Sequence, residues 1–251
     1  MFSRLSRLRE SATAAHVLPL AVFMLLNSVP GWLRIENPEL PWHQRGPEHW
    51  LYPLQTIIVG ALLLFFAKHY RFAPWRGLGL AVALGLAGIA VWIAPAWLFQ
   101  ASLESGTGLP AWSEWLGFVE RKEGFDPDIL AAWPAWQAAS IGMRFVRLVV
   151  LVPLIEEIFW RGFLMRYLNA GDRDWKQTPF GGHSWKVYGT VTLLVVLAHH
   201  PADYAAAFIW GSLVYFVAVR TKSLGACVLM HAVANLVLGV YVMQTRQWGF
   251  W

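Results

Sequence analysis

Charge is scarce in this chain. Asp, Glu, Lys and Arg make up 14% of its 251 residues, where a soluble domain carries about 25%. The scarcity argues against a soluble protein, and a hydrophobic fraction of 57% argues against disorder, which needs low hydrophobicity. Cysteine is nearly absent. Cys227 is alone, so no disulfide scaffold can form within the chain, and it reads as a small apolar packing residue. No serine stands in a G-x-S-x-G setting and no His-Glu-x-x-His occurs, so neither a nucleophile elbow nor a zincin helix is encoded. No internal repeat is present, and the stretches 100–128 and 169–186 are the only sizeable hydrophilic parts. Neither is long enough for a separate domain, so residues 1–251 read as a single membrane domain. A net charge of +5 could suggest nucleic acid, but the 16 Trp and long apolar runs point instead to a polytopic membrane protein held by basic loops, with no nucleic-acid partner.

A bilayer-crossing helix needs about 20 mostly apolar residues. Residues 11–33, 49–67, 77–103 and 223–245 contain no Asp, Glu, Lys or Arg and are four strong spans. Between 187 and 219 only Asp203 interrupts an apolar run, beside Pro201, which predicts two shorter helices with a tight turn at 200–204. The stretch 129–168 carries Arg144, Arg147, Glu156, Glu157, Arg161 and Arg166, yet part of it must cross because its flanking loops differ in charge. The sequence therefore predicts an all-α transmembrane bundle of seven spans, or eight if 129–168 forms two helices.

Basic and acidic loops alternate from the N-terminal Arg4, Arg7 and Arg9 onward. The positive-inside rule then places the N-terminus in the cytoplasm and the C-terminus on the far, periplasmic side. The first apolar run is longer than a signal-peptide core and reads as a retained anchor. Trp32, Trp42, Trp50, Trp75, Trp97 and Trp112 cluster near span ends, where an aromatic belt belongs. Gly79, Gly85 and Gly88 could permit close helix contact, or could be ordinary glycines of a membrane helix.

Ionisable groups inside a membrane are costly and need a reason. Three places stand out. The first is Glu156-Glu157-Ile158-Phe159-Trp160-Arg161. Glu157 and Arg161 are four apart and share a helix face, while Glu156 points elsewhere. A carboxylate without a partner in a low-dielectric site has its pKa raised, as a general base requires. A helix end facing water would also accommodate these charges. The second is His199-His200 before Pro201; neighbouring helix positions diverge, so at most one faces a given site. The third is His231 and Asn235, on one face in the middle of the last charge-free span, where a polar interhelical clasp competes with a site. Together these groups could activate water and stabilise an oxyanion. A divalent metal held by Glu and His is equally compatible.

The order Glu156-Glu157-x-x-x-Arg161, then His199 or His200, then His231-x-x-x-Asn235 resembles the CAAX-protease and bacteriocin-processing family of intramembrane endopeptidases. The resemblance covers residues 149–243 as a catalytic core. It implies that Glu156 activates water, Glu157 supports it and pairs with Arg161, His199 helps hold the water, and His231 and Asn235 bind the water or the oxyanion. Val195 and Val196 stand four residues before the two histidines, where the family's second motif carries Phe, so the choice between them stays open. The family's chemistry implies either no cofactor or a divalent metal such as zinc, for which Glu156, His199 and His231 would be ligands. The tail Gln247-Trp248-Gly249-Phe250-Trp251 and the stretch 221–227 resemble the subgroup associated with exosortase-type sorting systems. That subgroup implies a bacterial inner membrane, a membrane-protein or lipid-anchored peptide substrate, and an exosortase-type partner. The alternative is a catalytically inactive membrane scaffold, or a binding partner of such a system, built on the same framework.

Overall fold

The computed structural model describes residues 2–251. Met1 and the side chains of residues 2–4, among them the Arg4 counted with the basic N-terminus, lie outside the described residues. All regular structure among the described residues is helical. In chain order the α-helices are α1 (Phe2–Glu10), α2 (Ala12–Leu33), α3 (Trp42–Arg45), α4 (Glu48–Phe65), α5 (Leu78–Glu104), α6 (Pro134–Val146), α7 (Val152–Glu157), α8 (Met165–Ala170), α9 (Trp185–Leu197), α10 (Tyr204–Thr221) and α11 (Leu224–Thr245). Short polar residues set several of the starts. Ser11, Ser184 and Ser223 accept hydrogen bonds from the N–H groups of Ala14, Val187 and Ala226 at 3.2, 3.2 and 3.0 Å, satisfying donors that a helix N-terminus leaves open.

Six helical stretches are long and apolar enough to cross a membrane: α2, α4, α5, the continuous path Pro134–Ala170, Pro201–Thr221 and α11. The count differs from the expected seven or eight for two reasons. The stretch that offered an eighth span runs 37 residues without a break, its α-helical segments joined through π-helical turns at Arg147–Leu151 and Ile158–Leu164. The run 187–219 does divide at a 3-10 turn, Pro201–Asp203. However, its first half, α9, has only 13 residues. At about 1.5 Å per residue it spans about 20 Å, short of a hydrocarbon core of about 30 Å.

The chain forms two compact units, residues 2–71 with 125–159 and residues 72–124 with 160–251. The first packs α2 against α4 and α4 against α6. Its interior holds two arginines, Arg144 and Arg147, 4% and 7% exposed. Arg147 donates to Gln55 Oε1 at 2.9 Å and to Asn27 Oδ1, and its guanidinium lies 4.2 Å from the Tyr52 ring and 4.7 Å from Phe23. Gln55 is held in turn by donating to Phe23 O at 2.7 Å. Arg144 lies about as close to Tyr52 and Phe125, at 5.1 and 5.0 Å. Neutral acceptors and ring faces thus meet Arg147, and ring faces meet Arg144, cations that the sequence showed only as awkward charges in an apolar helix. At the membrane edge, Lys68 pairs with Glu10, and Tyr70 donates to Ala15 O at 2.7 Å; burial pushes its hydroxyl pKa up.

In the second unit α5 packs along α11, and α10 lies against α9, α5 and α11. Glycine decides how closely. A Cβ on Gly85 would sit 2.7 Å from Met230 O, and one on Gly88 would sit 2.9 Å from the Trp210 ring. Gly79 has open space around it. Of the three glycines that could have served close contact, two do. The C-terminal residues fold back on this unit. Gly249 N–H donates to Arg121 O at 2.7 Å, and the Arg121 guanidinium stands 4.8 Å from the Phe250 ring.

Candidate active site

Glu156 and Glu157 end α7, a six-residue α-helical segment between the two π-helical stretches. Glu157 is wholly buried and Glu156 half-buried. The change of helical stagger has a cause in this sequence. An apolar helix that must carry charges inward can widen a turn to re-aim side chains, and such π-bulges recur at functional sites. Arg161 lies in the second π-helical stretch, 1% exposed, and its Nη2 donates to Gly211 O at 3.4 Å. Arg161 sits in the wider turns four residues beyond Glu157, and it reaches the main chain of α10.

The two neighbouring histidines diverge, as expected for adjacent helix positions. His199 is half-buried at the end of α9. Its Nδ1–H donates to Val195 O at 2.7 Å, so the neutral ring presents Nε2 as an acceptor. The ring meets Trp92 of α5 edge-on, with centroids 5.3 Å apart. His200 is exposed. Its Nδ1 accepts from Ala202 N–H at 3.3 Å, capping the 3-10 turn and leaving Nε2 as the donor. Of the pair, His199 has the enclosed position and the tautomer suited to accepting a proton.

His231 is 6% exposed on α11 and meets Trp210 of α10 edge-on at 5.3 Å. Asn235 follows one turn later, half-buried. Trp210 is the ring for which Gly88 makes room, and Trp92 lies one turn beyond Gly88 on α5. One face of α5, through Gly85, Gly88 and Trp92, therefore shapes the surroundings of His231 and His199 alike. Sequence reasoning did not identify Trp92 or Trp210. A tryptophan in an apolar helix carries no signal of which ring it will touch.

Among the described residues, no three His, Cys, Asp or Glu side chains gather closely enough to hold a metal ion.

Residues 138–237 match the family model described as type II CAAX prenyl endopeptidase Rce1-like. The match spans about two-fifths of the chain and marks a similarity of that segment to the family. The matched segment contains every candidate residue, from Glu156 to Asn235, while α5 lies outside it. The match is to the Rce1-like family at large and does not single out the exosortase-associated subgroup. No curated protein and no solved structure matches the chain. Six apolar, membrane-length helices make this an integral membrane protein, and its segment 138–237 is similar to a protease family.

Proposed function

We propose that the protein is an intramembrane endopeptidase that hydrolyses a peptide bond in a membrane protein or a lipid-anchored peptide. The observation that carries this reading is the Rce1-like match over the one segment that holds all seven candidate residues. The burial of Glu157 and Arg161 supports it, since charges so deep in an apolar helix are retained for function by default.

In the proposed reaction Glu156 takes a proton from water, and the resulting hydroxide attacks the scissile carbonyl carbon. The tetrahedral oxyanion accepts hydrogen bonds from His231 and Asn235. As the C–N bond breaks, the proton passes to the leaving nitrogen, giving a free carboxylate and a free amine. His199, with Nε2 free to accept, orients the attacking water. Glu157 and Arg161 hold the local field in which Glu156 works. General-base catalysis of this kind contributes about 10²–10⁴-fold, so Glu156→Gln should lower cleavage by about that factor. New N-termini of membrane proteins, mapped in cells expressing the wild type or Glu156→Gln at equal levels, test it. Wild-type-dependent termini that vanish in the variant are expected. Termini that persist in the variant would overturn the mechanism.

A further inference from the structure

A cavity of about 480 Å³ opens beside His200, walled by Glu120, Arg121, Lys122, Glu123 and Asp203. Its volume falls in the range of binding pockets, about 300–1,000 Å³. All of the wall belongs to the second unit. The charges on the wall are paired except for one. Arg121 forks onto Asp203 at 2.6 and 3.2 Å, and Lys122 meets Glu120 at 2.6 Å. Glu123 has no cationic partner among the described residues, so the cavity keeps one uncompensated carboxylate. It also keeps one directed donor. His200, with Nδ1 accepting from Ala202 N–H, has its Nε2–H to offer.

A directed donor beside one free carboxylate does not suit a simple anion, which Glu123 would repel. It suits a polypeptide, which brings carbonyl oxygens for the donor and can bring a cationic side chain for the carboxylate. We propose that this cavity binds a polar stretch of polypeptide, taking a main-chain carbonyl oxygen on His200 and a lysine or arginine side chain on Glu123. The proposal rests on the endopeptidase reading only for the identity of the bound chain, which is then the substrate's stretch outside the apolar core. His200 on the wall and His199 in the candidate site are consecutive residues, so a chain lying in the cavity passes close to the proposed chemistry.

The test uses the full-length protein in lipid nanodiscs and three labelled peptides identical except for Lys, Gln or Glu at one position. Fluorescence anisotropy reads binding. The lysine peptide should bind roughly fivefold more tightly than the glutamate peptide at low salt, the size expected of a partly exposed ion pair, with the gap closing as salt rises. Glu123→Gln should erase the preference and Glu123→Lys should reverse it. Equal binding of all three peptides, or a lysine preference that survives Glu123→Lys, would overturn the proposal. The Glu156→Gln protein separates this from the enzymatic reading. Glu123-dependent binding without any Glu156-dependent cleavage would leave the cavity standing and remove the endopeptidase. Glu156-dependent cleavage without a Glu123-dependent preference would do the reverse.

Discussion

His199 and His200 differ by one position and by which ring nitrogen is left over. His199 donates from Nδ1 to Val195 O inside the second unit, and His200 accepts at Nδ1 from Ala202 N–H at its surface. The proposed roles follow from that difference. His199→Ala should lower kcat by about 10²-fold or more, the range for a lost acid–base partner. His200→Ala should leave kcat within a few-fold and act on KM, because its ring stands on a cavity wall. Steady-state kinetics on a substrate found by N-terminal mapping reads both, and equal loss of kcat in the two variants would refute the assignment. Chelation separates the two chemistries open to these residues: cleavage that persists after exhaustive chelation and dialysis assigns it to Glu156 acting on water without a metal. Activity lost to the chelator and restored by zinc would assign the chemistry to a bound metal instead.

At the scale of the element, α5 is the helix whose role was least visible. It carries no ionisable residue until Glu104 and lies outside the Rce1-like segment, yet its face brings Gly85 to the main chain of α11, Gly88 to Trp210 and Trp92 to His199. A side chain at position 85 must displace backbone, so Gly85→Leu should destabilise the protein by about 1–3 kcal/mol. Gly79→Leu, with open space, should be tolerated. Thermal unfolding in detergent compares the two. Trp92→Ala should lower kcat more than it raises KM, and Trp92→Phe should restore most of the loss, because an aromatic edge or face is what His199 meets. A loss confined to thermal stability would make Trp92 a packing residue only. In the first unit, the Gln55 amide joins Phe23 O to Arg147. Gln55→Leu removes a neutral acceptor from a buried guanidinium and should cost about 1–3 kcal/mol, read by the same unfolding experiment.

At the scale of the whole molecule, the alternation of basic and acidic loops supports a cytoplasmic N-terminus. Six helices have the length to cross, and α9 has 13 residues. We propose that α9, although shorter than an unperturbed hydrocarbon core, carries the chain across a locally thinned bilayer, which puts the C-terminus on the opposite face. Reporter fusions at the two ends decide it. Opposite sides are expected, and a shared side would show that α9 does not cross. The Arg121–Asp203 pair belongs to this scale, since it joins the segment after α5 to the turn before α10. Asp203→Asn leaves a buried guanidinium without its counter-charge and should cost about 3–5 kcal/mol. Arg121→Met with Asp203→Asn together should cost less than that single change.

The sequence alone determined the helical membrane class, the runs that become α2, α4, α5 and α11, the turn at Pro201–Asp203, and the identity of the polar residues from Glu156 to Asn235. Those follow from composition, apolar run length and residue chemistry, which are properties of a chain before it packs. Only the tertiary structure decided that residues 134–170 form one helical path with π-helical turns, that α9 stays short, that His199 and not His200 turns inward, and which rings and carbonyls meet the buried cations. The reason is physical. Periodicity says which side of a helix is apolar, but the partner across the interface is chosen by close packing, and packing depends on residues far apart in the chain, such as Gly88 and Trp210 or Arg121 and Asp203.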